Sequence, residues 1–160
     1  RRAMDAIRMM GSAAPKFVIA GAPASSVFQS YETSEPEANS VTDKIVFTGR
    51  LSDEEIAGLY AGATALLFPS LYEGFGIPPL EAMLLGCPVL ASDIPPTREV
   101  CGDAALFFDP LRPDDMARAI NEVLHNPEHR AKMIERGYLR AQEFSWDRSA
   151  GRLLDIVEQL

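Results

Sequence analysis

The sequence is poor in the residues that build stapled or metal-held folds. It has two cysteines, two histidines and one tryptophan in 160 residues. Two cysteines make no disulfide framework, and neither Cys87 nor Cys101 has histidines at metal-ligand spacing, so no metal site is expected. Cys87 stands among apolar residues at a helix–strand junction and reads as a small core side chain. His125 and His129 fall in a polar helix junction and read as solvated. No apolar run reaches the length of a membrane span, and no signal-peptide pattern opens the sequence as written. Basic residues are outnumbered, 15 against 23 acidic, and a net charge of −8 argues against nucleic acid or an anionic membrane as the main partner. A reducing, cytoplasmic setting fits this composition. No repeat, low-complexity tract or linker divides the chain, so residues 1–160 are expected to form one domain, long enough to bury a core.

What is present is an alternation of helix and strand. Met4, Ile7 and Met10 mark a helix over 4–10, and a strand follows over 16–20. Residues 27–33 read as a short helix and 34–40 as a surface loop. Strands are expected at 45–47, 66–68, 88–91 and 105–108. A capping box at 52–55 opens a helix to about residue 61. Short helices follow Pro78 and Pro95, and residues 113–125, 127–144 and 145–160 have helical spacing with charged outer faces. Ser145 is a plausible N-cap, and Trp146 is expected to pack as a core anchor. The pattern predicts an α/β fold: an open, doubly wound parallel sheet with helices on both faces and a C-terminal helical tail. Ligands in such sheets collect at the carboxyl ends of the strands, and residues 48–51, 70–76 and 93–99 all follow strands.

The most informative stretch is LLFPSLYEGFGIPPLEAMLLGCPVLASD over 66–93. A buried strand runs into a loop whose glycines let a ligand approach the backbone, then into a helix with Pro78 in its first turn. Such a turn aims free N–H groups and a positive helix end at an anion. Glu73 in the loop and Glu81 in the helix offer carboxylates that accept hydrogen bonds from hydroxyls. The combination points to a phosphorylated sugar derivative rather than a bare phosphate.

The stretch EGFGIPPLE over 73–81 resembles the E-x7-E signature of the retaining glycosyltransferases of family four. FPS at 68–70, GCPV at 86–89, ASD at 91–93, REV at 98–100, GDAA at 102–105 and DP at 109–110 match that family in order and spacing. The resemblance implies a Rossmann-like, C-terminal donor-binding lobe of a two-lobe enzyme. That enzyme would move a hexose from a nucleotide diphosphate sugar, GDP- or UDP-linked, to an acceptor hydroxyl of a glycan or lipid-linked acceptor, in polysaccharide or glycoconjugate synthesis. By the same resemblance, Glu73 is the catalytic carboxylate and is not a covalent nucleophile. Gly74, Phe75, Gly76 and Ile77 face the sugar and diphosphate, and Glu81 binds the ribose. Thr48, Gly49, Arg50 and Leu51 are weaker candidates for the nucleotide base and phosphate, with Arg50 left open between a phosphate contact and a solvated side chain. Glu99 fits an acidic family position, and Arg98 beside it is read as its ion-pair partner. No cofactor or metal is implied, and the C-terminal helix is expected to cross toward the other lobe.

The family carries one more strand before residue 1, followed by an arginine and a lysine for the pyrophosphate, and a separate acceptor lobe. Without them, residues 1–160 are expected to have a gap in the sheet closed by another chain or else to be prone to association, to bind nucleotide at millimolar strength at best, and to transfer no sugar. Any peripheral membrane contact would belong to the other lobe. A receiver-type signalling domain shares the alternation, but AGAP at 20–23 and FDP at 108–110 stand where its acidic cluster and lysine belong. A non-catalytic nucleotide-sugar-binding or interaction module of the same fold is the alternative that the sequence leaves open.

Overall fold

A computed structural model describes residues 1–21 and 42–159. The helix expected over 27–33 and the loop over 34–40 lie outside the described residues. In chain order the regular elements are α1 (Arg2–Met10), β1 (Phe17–Ala20), β2 (Ile45–Gly49), α2 (Asp53–Gly62), β3 (Leu66–Phe68), α3 (Ile77–Leu84), β4 (Val89–Ser92), α4 (Pro95–Cys101), β5 (Ala105–Phe108), α5 (Pro113–His125), α6 (Pro127–Ala141) and α7 (Trp146–Val157).

All strand pairs are parallel. β4 is central in one ladder, with Leu66, Leu67 and Phe68 of β3 opposite Val89, Leu90 and Ala91, and β5 on its other side. Its four residues are all buried, which is what an unbroken apolar run between two helical layers requires. Alternate side chains divide between those layers. Val89 and Ala91 pack with Leu80 and Met83 of α3, Val100 and Cys101 of α4 and Ala141 of α6. Leu90 packs on the other side with Ala6 of α1, Phe108, and Met116, Ile120 and Val123 of α5. The doubly wound arrangement is therefore the one expected.

The five strands form two ladders rather than one sheet. β1 pairs with β2, β3 with β4 and β5, and among the described residues no strand joins the two groups. They still share a core, since Phe17 of β1 and Leu67 of β3 pack into the same cluster. The tryptophan expected in the core is a correction. The N-cap forms, Ser145 Oγ accepting from the Arg148 N–H at 3.1 Å, but Trp146 is 84% exposed. No residue of α7 is buried, and its apolar Leu153, Leu154, Ile156 and Val157 are all exposed. α6 also stops at Ala141, three residues short of expectation, in a turn where the Phe144 N–H donates to the Ala141 carbonyl.

Candidate functional site

β3 ends at Phe68, and residues 69–76 carry the chain to α3. Gly76 turns it into the helix with φ 106° and ψ 57°, a region that only glycine enters cheaply. A Cβ there would meet Pro79 Cγ at 3.9 Å and Phe68 Cε1 at 4.0 Å, so backbone conformation rather than space selects the residue. Pro78 and Pro79 follow Ile77 in the first turn, which leaves Ile77 as the only N–H donor among the first three helical positions. Among the described residues, no backbone–backbone hydrogen bond closes the loop from Pro69 to Phe75. Its amides are free to meet a ligand.

Two side-chain interactions hold this open loop. Ser70 Oγ donates to Glu73 Oε1 at 2.7 Å and fixes the carboxylate near the end of β3. Phe75 meets Phe144 edge-to-face, with ring centroids 5.8 Å apart and planes at 78°. Burial first, then the negative charge of Glu81 on α3, push the phenol of Tyr60 in α2 above the ordinary range. Glu81 itself stays exposed on α3, while Leu80, Ala82 and Met83 turn inward. Tyr72, Phe75 and Ile77 line the exposed rim.

The end of β4 lies beside this loop through its pairing with β3. Ser92 Oγ donates to the Phe68 carbonyl at 3.3 Å, and Thr97 Oγ1 lies within reach of the carbonyls of Ser92 and, at 2.9 Å, Ile94. Both hydroxyls are fully buried and lock the strand end to the start of α4. Arg98 is not paired with Glu99. Neighbouring residues on a helix diverge, and its guanidinium instead forks onto Asp93, with Nη2 2.6 Å from Oδ2 and a second bond from Nε to Oδ1. That bond holds the Asp93 carboxyl below the usual range. Arg98 also lies 4.8 Å from the Phe107 ring centroid.

Residues 73–77 and 81 therefore sit on one strand–loop–helix unit, with Ser92 and Asp93 next to it. Thr48 and Gly49 end β2 in the other ladder, with Arg50 and Leu51 just after it, and the Gly49 carbonyl accepts from the Gly21 N–H at 2.9 Å. Among the described residues, no hydrogen bond, ion pair or ring contact joins 48–51 to 70–77. At the α5–α6 junction, His129 Nδ1 lies 3.0 Å from Glu122 Oε1 and His125 Nδ1 2.9 Å from the Asn121 carbonyl. Ser70 and Phe144, which brace the loop, and Tyr60, which lies near Glu81, were not read as site residues from the sequence. Only Ser70 carried a signal there, as the polar residue leaving a buried strand.

A family model described as "Glycosyl transferases group 1" matches residues 2–140. The chain belongs to that family. O-antigen chain mannosyltransferase B of Escherichia coli is 37% identical over 116 residues, which is 72% of this chain and 30% of that relative. The chain thus spans under a third of that relative's length. Among solved structures, Anabaena Alr3699/HepE in complex with UDP-glucose has a TM-score of 0.83 at 18% identity, covering 99% of this chain and 44% of the other. Sucrose-phosphate synthase from Thermosynechococcus elongatus scores 0.78 at 23% identity, covering 99% and 41%. At these identities the two structures establish a shared fold. The glycosyl transferases group 1 lobe is thus an α/β unit with the 69–76 loop at the carboxyl end of β3.

Proposed function

We infer that this chain is the donor-binding lobe of a retaining glycosyltransferase, moving a hexose from a nucleotide diphosphate sugar to an acceptor hydroxyl in glycan synthesis. The observation that carries this is the loop between Glu73 and Glu81: unbonded amides, a left-handed Gly76, and a carboxylate at each side. Relatives named as mannosyltransferases and a fold neighbour solved with UDP-glucose support a sugar nucleotide as donor. On this reading, Glu81, exposed on α3, accepts hydrogen bonds from the ribose. The amides of Gly74, Phe75, Gly76 and Ile77 face the sugar and diphosphate, adding to the positive end of α3. Glu73, held by Ser70, accepts from a sugar hydroxyl and stabilises positive charge on the ring as the anomeric C–O bond to the diphosphate breaks. The acceptor oxygen then bonds to the anomeric carbon on the face the diphosphate leaves, and its hydroxyl proton passes to the departing diphosphate oxygen.

The test is calorimetric titration of GDP, UDP, GDP-mannose and UDP-glucose against the full-length protein and two variants. A charge-assisted hydrogen bond is worth about 1.5–3 kcal/mol, so Glu81→Gln is expected to weaken nucleotide binding about tenfold or more. Glu73→Gln is expected to keep nucleotide binding and lose transfer. An unchanged dissociation constant in Glu81→Gln would refute the ribose assignment. A glycosyl–Glu73 adduct trapped by mass spectrometry would refute the role given to Glu73.

A further inference from the structure

The site loop lacks backbone hydrogen bonds, and glycines flank Phe75 on both sides. A Cβ at Gly74 would meet nothing within 4 Å, and Gly76 already uses a conformation that other residues avoid. Between Glu73 and Ile77 the Phe75 ring is therefore the only side chain that can fix the loop's path. Its partner, Phe144, stands 69 positions further along the chain, just before the Ser145 N-cap.

Phe144 is itself well seated. Its ring is partly buried against the cluster that holds Leu80, Met83, Val100, Cys101 and Ala141. The Arg140 guanidinium lies 4.9 Å from the ring centroid. That same guanidinium donates from Nε to the Val100 carbonyl at 2.9 Å and from Nη2 to the Glu99 carbonyl at 2.5 Å, and Nη1 reaches Glu143. One side chain thus satisfies carbonyls at the end of α4 and presses on the ring that meets Phe75. A cation over an aromatic face is a favourable arrangement, and edge-to-face contact adds directional preference.

We propose that Phe144, seated by Arg140, is a positioning residue for sugar-nucleotide binding: through Phe75 it holds the Gly74–Ile77 amides in the geometry that meets the sugar and diphosphate. The inference rests on the donor-binding reading above and adds a selective consequence. Glu81 sits on α3, and residues 48–51 lie at the end of β2 in the other ladder, so on that reading no nucleoside contact is made through the Phe75–Phe144 pair. Loosening the ring pair should cost affinity at the sugar–diphosphate end alone. A ring that merely fills core would instead change all ligands alike, through overall stability.

The experiment measures binding of UMP, GMP, UDP-glucose and GDP-mannose to the full-length protein by calorimetry, below the melting temperature of each variant. Phe144→Ala and Phe75→Ala are each expected to weaken the sugar nucleotide that the wild type binds by about threefold to tenfold. The matching monophosphate should stay within about twofold. The double variant should be no weaker than the weaker single one, because both remove the same contact. Phe144→Leu keeps apolar volume and should fall between wild type and Phe144→Ala. Should Phe144→Ala not fold, Phe75→Ala and Phe144→Leu carry the comparison. Equal losses for monophosphate and sugar nucleotide, additive losses in the double variant, or wild-type affinity in Phe75→Ala would each overturn the proposal. If Glu81→Gln weakens all ligands while the ring variants weaken none, the proposal fails and the donor-binding reading stands. If the wild type binds none of the four, both fall.

Discussion

Gly74 and Gly76 stand two residues apart in the same loop, and the structure gives them opposite reasons to be glycine. At Gly76 the backbone has φ 106°, and a methyl would find only ordinary contacts, at 3.9 Å from Pro79 and 4.0 Å from Phe68. The cost of Gly76→Ala is therefore backbone strain alone, about 1–3 kcal/mol. With a urea dependence of about 2 kcal/mol per molar, the unfolding midpoint should fall by roughly 0.5–1.5 M. Gly74 has no positive φ, and a methyl would enter open space. Gly74→Ala should leave stability unchanged or raise it by about 0.4–1 kcal/mol through the unfolded chain. On the donor-binding reading, that open space is where the donor's sugar and diphosphate lie. The methyl should displace the donor from one or two amides and weaken nucleotide-sugar binding about tenfold. Urea unfolding followed by circular dichroism, paired with calorimetry, separates the two effects. A Gly76→Ala protein as stable as wild type would show that the turn into α3 is not left-handed. A stable Gly74→Ala protein that binds donor normally would show that the loop is not the donor's wall.

Two further predictions concern the core behind the site. In α6, a Cβ on Gly137 would lie 3.0 Å from Met83 Cγ and 3.3 Å from its Cβ, so Gly137→Ala should lower stability by about 1 kcal/mol or more despite the gain in helix propensity. Gly151→Ala in α7, with nothing within 4 Å, should instead be neutral or stabilising, and equal behaviour of the two in urea would contradict the close α3–α6 packing. Burial pushes the thiols of Cys87 and Cys101 from 9.0 up to about 11. A raised pKa means the folded state keeps a proton that the unfolded chain loses. Stability should be undiminished below pH 9 and fall by on the order of 2–3 kcal/mol per thiol as pH rises to 11. Native protein at pH 8 should resist thiol reagents that label it in urea, and rapid native labelling would refute the burial of both thiols.

Much of this architecture was readable because its signals are local. The capping box at 52–55 forms as both halves predict: Glu55 Oε2 accepts from the Ser52 N–H at 2.8 Å, and Ser52 Oγ from the Glu55 N–H at 3.3 Å. The apolar run at 88–91 could only be a strand buried on both faces, and β4 is that. What could not be read depends on contacts across the chain. Arg98 was paired with Glu99 on adjacency, whereas its fork meets Asp93 because α4 begins two residues after that carboxylate. Trp146 was placed in the core on its size, but a helix buries its apolar side only when another element faces it. Phe144 and Tyr60 carried no signal at all. Nothing local tells an aromatic residue that fills a core from one that braces a loop 69 positions away.

The charge pattern sharpens what the loop can and cannot contribute. Arg98, Arg112, Arg118, Arg136 and Arg140 are each paired with a nearby carboxylate, and Arg8 lies 3.7 Å from Asp5. Exposed pairs of this kind are worth about 0–1 kcal/mol and serve mainly to spread charge over the surface. Arg50 makes no ion pair among the described residues, but it follows β2, in the other ladder from the strand that leads into Gly74–Ile77. The two prolines of α3 also remove N–H groups where an anion would most use them. The amides of 74–77 can therefore fix the direction of a diphosphate, yet in a chain of net charge −8 they cannot balance its charge. On the donor-binding reading, positioning and neutralisation are separate tasks. The loop does the first, and cations from outside it must do the second. That division explains why the loop is braced so carefully, by Ser70 at one end and Phe144 at the other: amides act through their orientation, and a loop without backbone hydrogen bonds keeps its orientation only if its side chains impose it.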